Sequence, residues 1–209
     1  IRVLLHCLAN ERTFNPYYVL VGQQLADDHV GMRVTMQYVL WDYFRELGEK
    51  HVGGHKVVRE DEEGEEYDVH VGERLRKLLH MARAYGYWIA RGALTLLVLK
   101  TVDFTALHEA GTLFLQHLLL HTFLMSQTRL PMLTPRARQN LLRAPSQVDR
   151  ERIEQLLVRG TVGQPRLAQG LFVFCHMHLQ RETLATLLGD VAIVTRLEWT
   201  VNVARDTLS

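Results

Sequence analysis

Apolar positions recur along this chain at spacings of three and four, the period of a helix buried on one face, and that spacing predicts helices over most of its length. Val3, Leu4 and Leu8 mark a first helix. A second, over 16–26, opens at the stretch FNPYYVLVGQQL. There Asn15 is placed to accept a hydrogen bond from a first-turn amide, and Pro16 takes the first helical position, where no amide donor is needed. Phe14, one place before the cap, is set to staple onto Val19.

The third helix, over 31–47, carries the most information. One face bears Met36, Leu40, Tyr43 and Leu47, and a second bears Val34, Tyr38, Trp41 and Phe44. A helix apolar on two faces must be covered on two sides, as the middle layer of stacked helix pairs is. Gly48 ends it, and the glycine-rich, acidic segment up to His70 reads as a mobile loop. Helices follow at 71–85, at the short apolar run ALTLLVL, and at 107–127. Pro131, Pro135 and Pro145 predict an irregular connection before helices at 148–158 and 165–180, the latter with Pro165 at its first position. In the tail, Val191, Val194, Leu197 and Val201 form a helical stripe against the weaker helix propensity of β-branched residues. With no strand pairs in the pattern, the class is all-α. Paired helices with short turns favour a HEAT-like stack of antiparallel helix pairs over a symmetric bundle.

Composition adds little until charge is placed along the chain. The 209 residues are 47% hydrophobic and 22% charged, which suits a folded protein. The net charge of +1 hides an uneven distribution. The segment 51–71 holds seven acids and two bases, leaving 22 of the 24 bases against 16 of the 23 acids elsewhere. Twenty of the bases are Arg, whose planar fork suits phosphate and carboxylate. Cys7 and Cys175 lie far apart in apolar runs and read as reduced, buried thiols. The run LFLQHLLLHTFLM is shorter than a membrane span and interrupted by Gln116, His117 and His121, so it is expected as a buried helix. The chain opens inside a helical pattern with no secretory signal, as a piece of a longer protein would.

Catalytic patterns are hard to find. None of the three serines lies in a GxSxG elbow, and no phosphate-binding glycine loop is present. His108 and Glu109 lack the second histidine of a metalloprotease helix, position 112 being Thr. His117 with His121, and His176 with His178, have no further ligands at zinc spacing and read as partly buried side chains satisfied by neighbours. No catalytic residue, metal or cofactor is expected. Binding is better represented. Arg129, Arg136, Arg138, Arg143, Arg150 and Arg152 stand among only two acids and form a candidate RNA-backbone contact, or else a solvated basic loop.

The stretch FNPYYVLVGQQL followed by VTMQYVLWDYFREL resembles the MA-3 domain of nucleolar MIF-4G/MA-3 proteins. The shared features are Asn15, Pro16, Tyr17 and Tyr18 at one helix start, then Met36, Gln37, Tyr38, Leu40, Trp41 and Asp42 on the next helix. LTLLVLKTVDF, the long apolar helix and VGQPRLAQGLFVF follow in the same order, so the resemblance covers most of 1–180. It implies an MA-3-type helical domain over 1–181 and a C-terminal tail helix over 182–209. The acidic loop (51–70) and the Pro/Arg-rich connection (128–147) stand as insertions to which no family function transfers.

The resemblance further implies a non-enzymatic scaffold in the nucleolus. It would act in the small-subunit processome, assisting 18S rRNA maturation and 40S biogenesis through pre-ribosomal proteins and pre-rRNA. A 4A-type DEAD-box helicase would be engaged through a MIF-4G domain outside this chain. The alternatives are an MA-3 scaffold of the spliceosome and a translation regulator binding a 4A-type helicase directly; a histidine-based metal hydrolase is the enzymatic alternative. Tyr17, Tyr18, Asp42 and Trp199 are the candidate partner-binding residues. Tyr17 and Tyr18 would either pack with Trp41 as an aromatic lid or stand exposed as an anchor. Asp42 would either pair locally or meet a partner's arginine.

Overall fold

The computed structural model describes residues 1–54, 69–128 and 149–209. Among the described residues there are nine α-helices and no strand. They are α1 (Arg2–Asn10), α2 (Pro16–Asp28), α3 (Val30–Glu46), α4 (Val69–Ala90), α5 (Glu109–Ser126), α6 (Arg150–Thr161), α7 (Pro165–His178), α8 (Arg181–Leu188) and α9 (Val191–Leu208), with a 3-10 turn (Leu96–Leu99) between α4 and α5. The fold is all-α and of the helical-repeat type, as the periodicity predicts.

Local chemistry explains several of the ends. The Asn15 side chain accepts from the Tyr17 amide at 3.1 Å with Pro16 in the first turn, so the expected start of α2 is met residue for residue. Asp149 and Asp190 cap α6 and α9 in the same way. His29 alone separates α2 from α3, serving as the C-cap of one and the N-cap of the other. Gly189 closes α8 in the left-handed conformation.

The helices α4 and α5 form the central pair. They approach closely at Gly86, where an added Cβ would stand 2.9 Å from the Leu118 carbonyl oxygen. The first three helices gather on one side of that pair: α1 packs on α4, and α2 on α3 and α4. On the other side α9 packs against α6, α7, α8 and α5, burying Val194, Leu197, Val201 and Val203. As expected of the run Leu113 to Met125, α5 is almost wholly buried.

A seam of aromatic side chains locks the first side together. Trp88 on α4 is fully buried and donates from Nε1 to the Val19 carbonyl on α2 at 2.9 Å. Tyr85, one turn earlier, donates from its hydroxyl to the Met36 carbonyl on α3 at 2.9 Å. Trp41 on α3 donates to the Val98 carbonyl in the 3-10 turn at 2.7 Å. Each ring buries a large apolar area, and its polar tip ends on the backbone of a different element.

Three expectations need correction. The run ALTLLVL forms a single 3-10 turn at Leu96–Leu99 rather than a helix. The second face of α3 is covered only in part: Trp41 and Phe44 are buried, but Val34 and Tyr38 are each 50% exposed. Helical period states that a face is apolar, not that a neighbour reaches its whole length. The tail is two helices, α8 and α9, joined at Gly189, not one. Most of the acidic loop (51–70) and of the Pro/Arg-rich connection (128–147) lies outside the described residues, which leave out 55–68 and 129–148.

Candidate functional site

The histidines are held in ways that suit packing. His117 is buried on α5, and its imidazole is pulled down to about 4 by burial and by Arg83 facing it from α4. His121, one turn on, accepts from Arg83 Nε at 3.1 Å; burial, Arg83 and His117 together bring it to about 3. His80 is buried with its Nδ1 3.0 Å from the Leu8 carbonyl oxygen, and burial lowers its pKa. His176 stacks on Phe172, and His178 packs on Phe174 with ring centres 4.8 Å apart. Among the described residues no group of three or more His, Cys, Asp or Glu is arranged to hold a metal ion. Cys175 is fully buried, its thiol pushed up to about 12, and both cysteines are free. No helix of the described residues is long and apolar enough to cross a membrane.

The candidate partner residues are spread over three helices rather than gathered. Tyr17 on α2 is 66% exposed and meets the ring of Tyr18 edge-on at 6.0 Å. Tyr18 donates to Glu11 at 3.0 Å, which raises its phenol above the ordinary value. Trp41 takes its ring contact from Tyr38 instead, at 5.4 Å and nearly perpendicular, so the three aromatics do not form one lid. Asp42 pairs within the chain, with Arg45 on its own helix and with Arg2 of α1 at 3.2 Å. Trp199 lies part-exposed on α9. Phe14 sits under the Arg83 guanidinium and edge-on to His80 at 5.5 Å, tying the entry of α2 to α4.

The sequence did not single out the exposed apolar stripe of α3. Val30 is 74% exposed, and Val34 and Tyr38 are 50% exposed, each four residues from the last. Their spacing was the available signal, but it is equally the signal of a core stripe.

The arginine candidates divide. Arg129, Arg136, Arg138 and Arg143 lie outside the described residues. Arg150 is engaged by Glu154 at 2.6 Å and approaches Asp206 on α9. Arg152 pairs with Asp149 at 2.9 Å and reaches the Ser126 carbonyl, so it also fastens α6 to the end of α5. Its side chain borders an open cleft of about 330 Å³ between α6, the 3-10 turn and the end of α4. Two further arginines line that cleft, Arg91 and Arg159, as do Leu94, Gln155 and Leu156. Neither Arg91 nor Arg159 belongs to the arginine-rich stretch, and Arg91 is far from it in sequence. Only the face shared by 152, 155, 156 and 159 on α6 hinted at the arrangement.

Comparison with known proteins gives modest, local similarity. The chain is 30% identical over 113 residues to Suppressor of glycerol defect protein 1 of Schizosaccharomyces pombe, covering 54% of this chain and 13% of that protein. It is 26% identical over 128 residues to Nucleolar MIF4G domain-containing protein 1 of Mus musculus, covering 61% of this chain and 12% of that one. The Homo sapiens protein of the same name is 34% identical over 47 residues, covering 22% of this chain and 6% of its own length. The matched stretch is thus a small part of each relative. No family model and no solved structure matches the chain. The names of the mouse and human relatives support a nucleolar, MIF4G-like family, and they speak of MIF4G rather than of MA-3.

Proposed function

We propose that this chain is the MA-3-type part of a non-enzymatic scaffold in the small-subunit processome of the nucleolus, assisting 18S rRNA maturation and 40S biogenesis through protein and pre-rRNA contacts. The observation that carries the reading is a coincidence of motif and relative. The Asn-Pro-Tyr-Tyr helix start at 15–18 and the helix bearing Trp41 and Asp42 occur in a chain similar to proteins named for the nucleolus. The geometry is of a kind that serves a scaffold. Stacked helices present extended faces, and the seam of Trp41, Tyr85 and Trp88 holds α2, α3, α4 and the 3-10 turn in fixed relation. The buried histidines are kept neutral against hydrophobic neighbours and Arg83, which serves packing better than proton transfer at neutral pH. A 4A-type DEAD-box helicase would be met through a MIF-4G domain outside this chain.

Depleting the protein and following rRNA precursors tests the reading. The expected result is loss of 18S rRNA and accumulation of its unprocessed precursors, with the large-subunit rRNAs maintained. Normal 18S output after depletion overturns it.

A further inference from the structure

We propose that the cleft between α6, the 3-10 turn and the end of α4 is a binding site for single-stranded RNA, in which Arg91, Arg152 and Arg159 hold a phosphodiester and the apolar floor takes the adjoining sugar and base. The proposal deepens the pre-rRNA contact proposed for the chain and rests on it.

Charge and shape both favour this ligand. Three guanidinium groups border one open cleft of about 330 Å³, and among the described residues no acid lines it. Asp149, which pairs with Arg152 from outside the lining, offsets part of this charge. Arg152 and Arg159 lie seven residues apart on α6, two turns along one face and about 10 Å in rise, with Gln155 between them. Arg91 joins the lining from just past the end of α4, its guanidinium held 5.4 Å over the Tyr87 ring. A guanidinium held against a ring has less freedom to lose when it meets an anion. Arg159 is exposed and, among the described residues, has no hydrogen bond or ion pair. Its planar fork is therefore available for bidentate contact with phosphate oxygens.

The floor separates RNA from other anions. Leu94, Leu156 and Ile89 line the cleft together with the arginines. A glutamate-rich peptide satisfies the guanidinium rim but brings only short methylene stems and backbone amides, with no flat ring face, to this apolar surface. A nucleotide brings a phosphate to the rim and a sugar and base face to the floor, and contacts of this kind are sequence-tolerant. Arg150 and its partners Glu154 and Asp206 stand apart from the cleft lining, so the exposed ion pairs of α6 do not block it.

The test uses the 209-residue chain and a fluorescent ten-nucleotide oligouridylate, with binding followed by anisotropy at several salt concentrations. Arg159→Gln is expected to weaken binding about tenfold, the size of one charge-assisted contact, and to make the salt slope shallower by about 0.7. Arg91→Gln should act in the same direction. Arg12→Gln, which removes the same charge from an exposed site in another part of the sequence, should leave affinity nearly unchanged. Circular dichroism and the urea midpoint report whether each variant is folded, and Arg159→Gln removes no hydrogen bond or ion pair among the described residues. If the unsubstituted chain binds and both cleft variants bind equally well with an unchanged slope, the cleft proposal is overturned while RNA contact elsewhere survives. If the unsubstituted chain does not bind RNA, both fall. If a poly-glutamate peptide of equal charge displaces the RNA as well as unlabelled RNA does, the site selects charge alone and the nucleic-acid assignment is overturned.

Discussion

The aromatic seam and the arginine cleft are built from the same kind of side chain, an extended body with a polar tip, yet they leave that tip in opposite conditions. In the seam every tip is closed within the fold: Trp88 on Val19, Tyr85 on Met36 and Trp41 on Val98. In the cleft only part of the donor capacity is used. Arg152 is served by Asp149 and the Ser126 carbonyl, whereas Arg159 has no such partner among the described residues. Desolvating an unmet polar group is costly, so closed tips belong in a core and open ones beside water or a ligand. The difference predicts where substitutions act. Changes in the seam should cost stability, and changes in the cleft should cost binding.

The largest break in that comparison comes from the seam. Trp88 is 0% exposed, stands edge-on to Tyr85 with ring centres 5.2 Å apart, and crosses α2 at Gly22, where an added Cβ would lie 2.5 Å from the indole. Replacing it with Ala leaves a cavity and removes the indole donor that the Val19 carbonyl accepts in addition to its helical amide. Trp88→Ala should destabilise the fold by about 3–5 kcal/mol, read as a lower urea midpoint at unchanged slope. A loss below about 1 kcal/mol would mean that α2 and α4 are held by something other than this contact.

The next effect depends on pH and lies where α4 meets α5. His117 and His121 ionise near 4 and 3 in the fold, against about 6.5 in an unfolded chain, because burial and Arg83 both oppose a positive charge there. Above about 6.5 both states hold these rings neutral and no stability is at stake. As pH falls below that, the unfolded chain takes protons that the folded one refuses, so stability drops until the folded values are reached. Each histidine contributes a loss of about 1.4 kcal/mol per pH unit in that window. Urea midpoints between pH 7 and pH 5 should therefore fall less steeply for a His117→Gln, His121→Gln double variant than for the unsubstituted chain. Equal slopes would show that these rings are not the groups being refused a proton.

What could be read in advance follows from how local each cause is. The start of α2 was legible because a cap and a first-turn proline act over three residues, and Asn15 and Pro16 take those places. The burial of Trp41 and Phe44 was legible from period, but the exposure of Val34 and Tyr38 on the same face was not. Which turns of an apolar face meet a neighbour is decided by where α1, α2 and the 3-10 turn end, and that is set by long-range packing. The division of the tail at Gly189 was missed because RETLATLL is a short helix without a side-chain cap at its start. The cleft was least legible. Arg91 and Arg159 are 68 positions apart, and only the docking of α6 on the 3-10 turn brings them to one opening.

The smallest expected effect is also the sharpest test of the distinction between closed and open tips. Arg159 lies in the last turn of α6, where a positive charge is mildly favoured by the helix dipole. Arg91 and Arg152 line the same cleft, and whatever repulsion they exert on Arg159 is relieved by Arg159→Gln. These opposing terms are both small in solvent, so the variant should keep its stability within about 0.5 kcal/mol, measured by the urea midpoint at neutral pH. A loss above about 1 kcal/mol would place Arg159 among the fold's own supports, beside Arg152, and would remove the reason for treating its fork as available to a ligand. A small gain at low salt that disappears at high salt would be the clearest sign of the opposite case. It would mean that the three guanidinium groups are held together at a cost to the folded chain, one that a bound anion would offset.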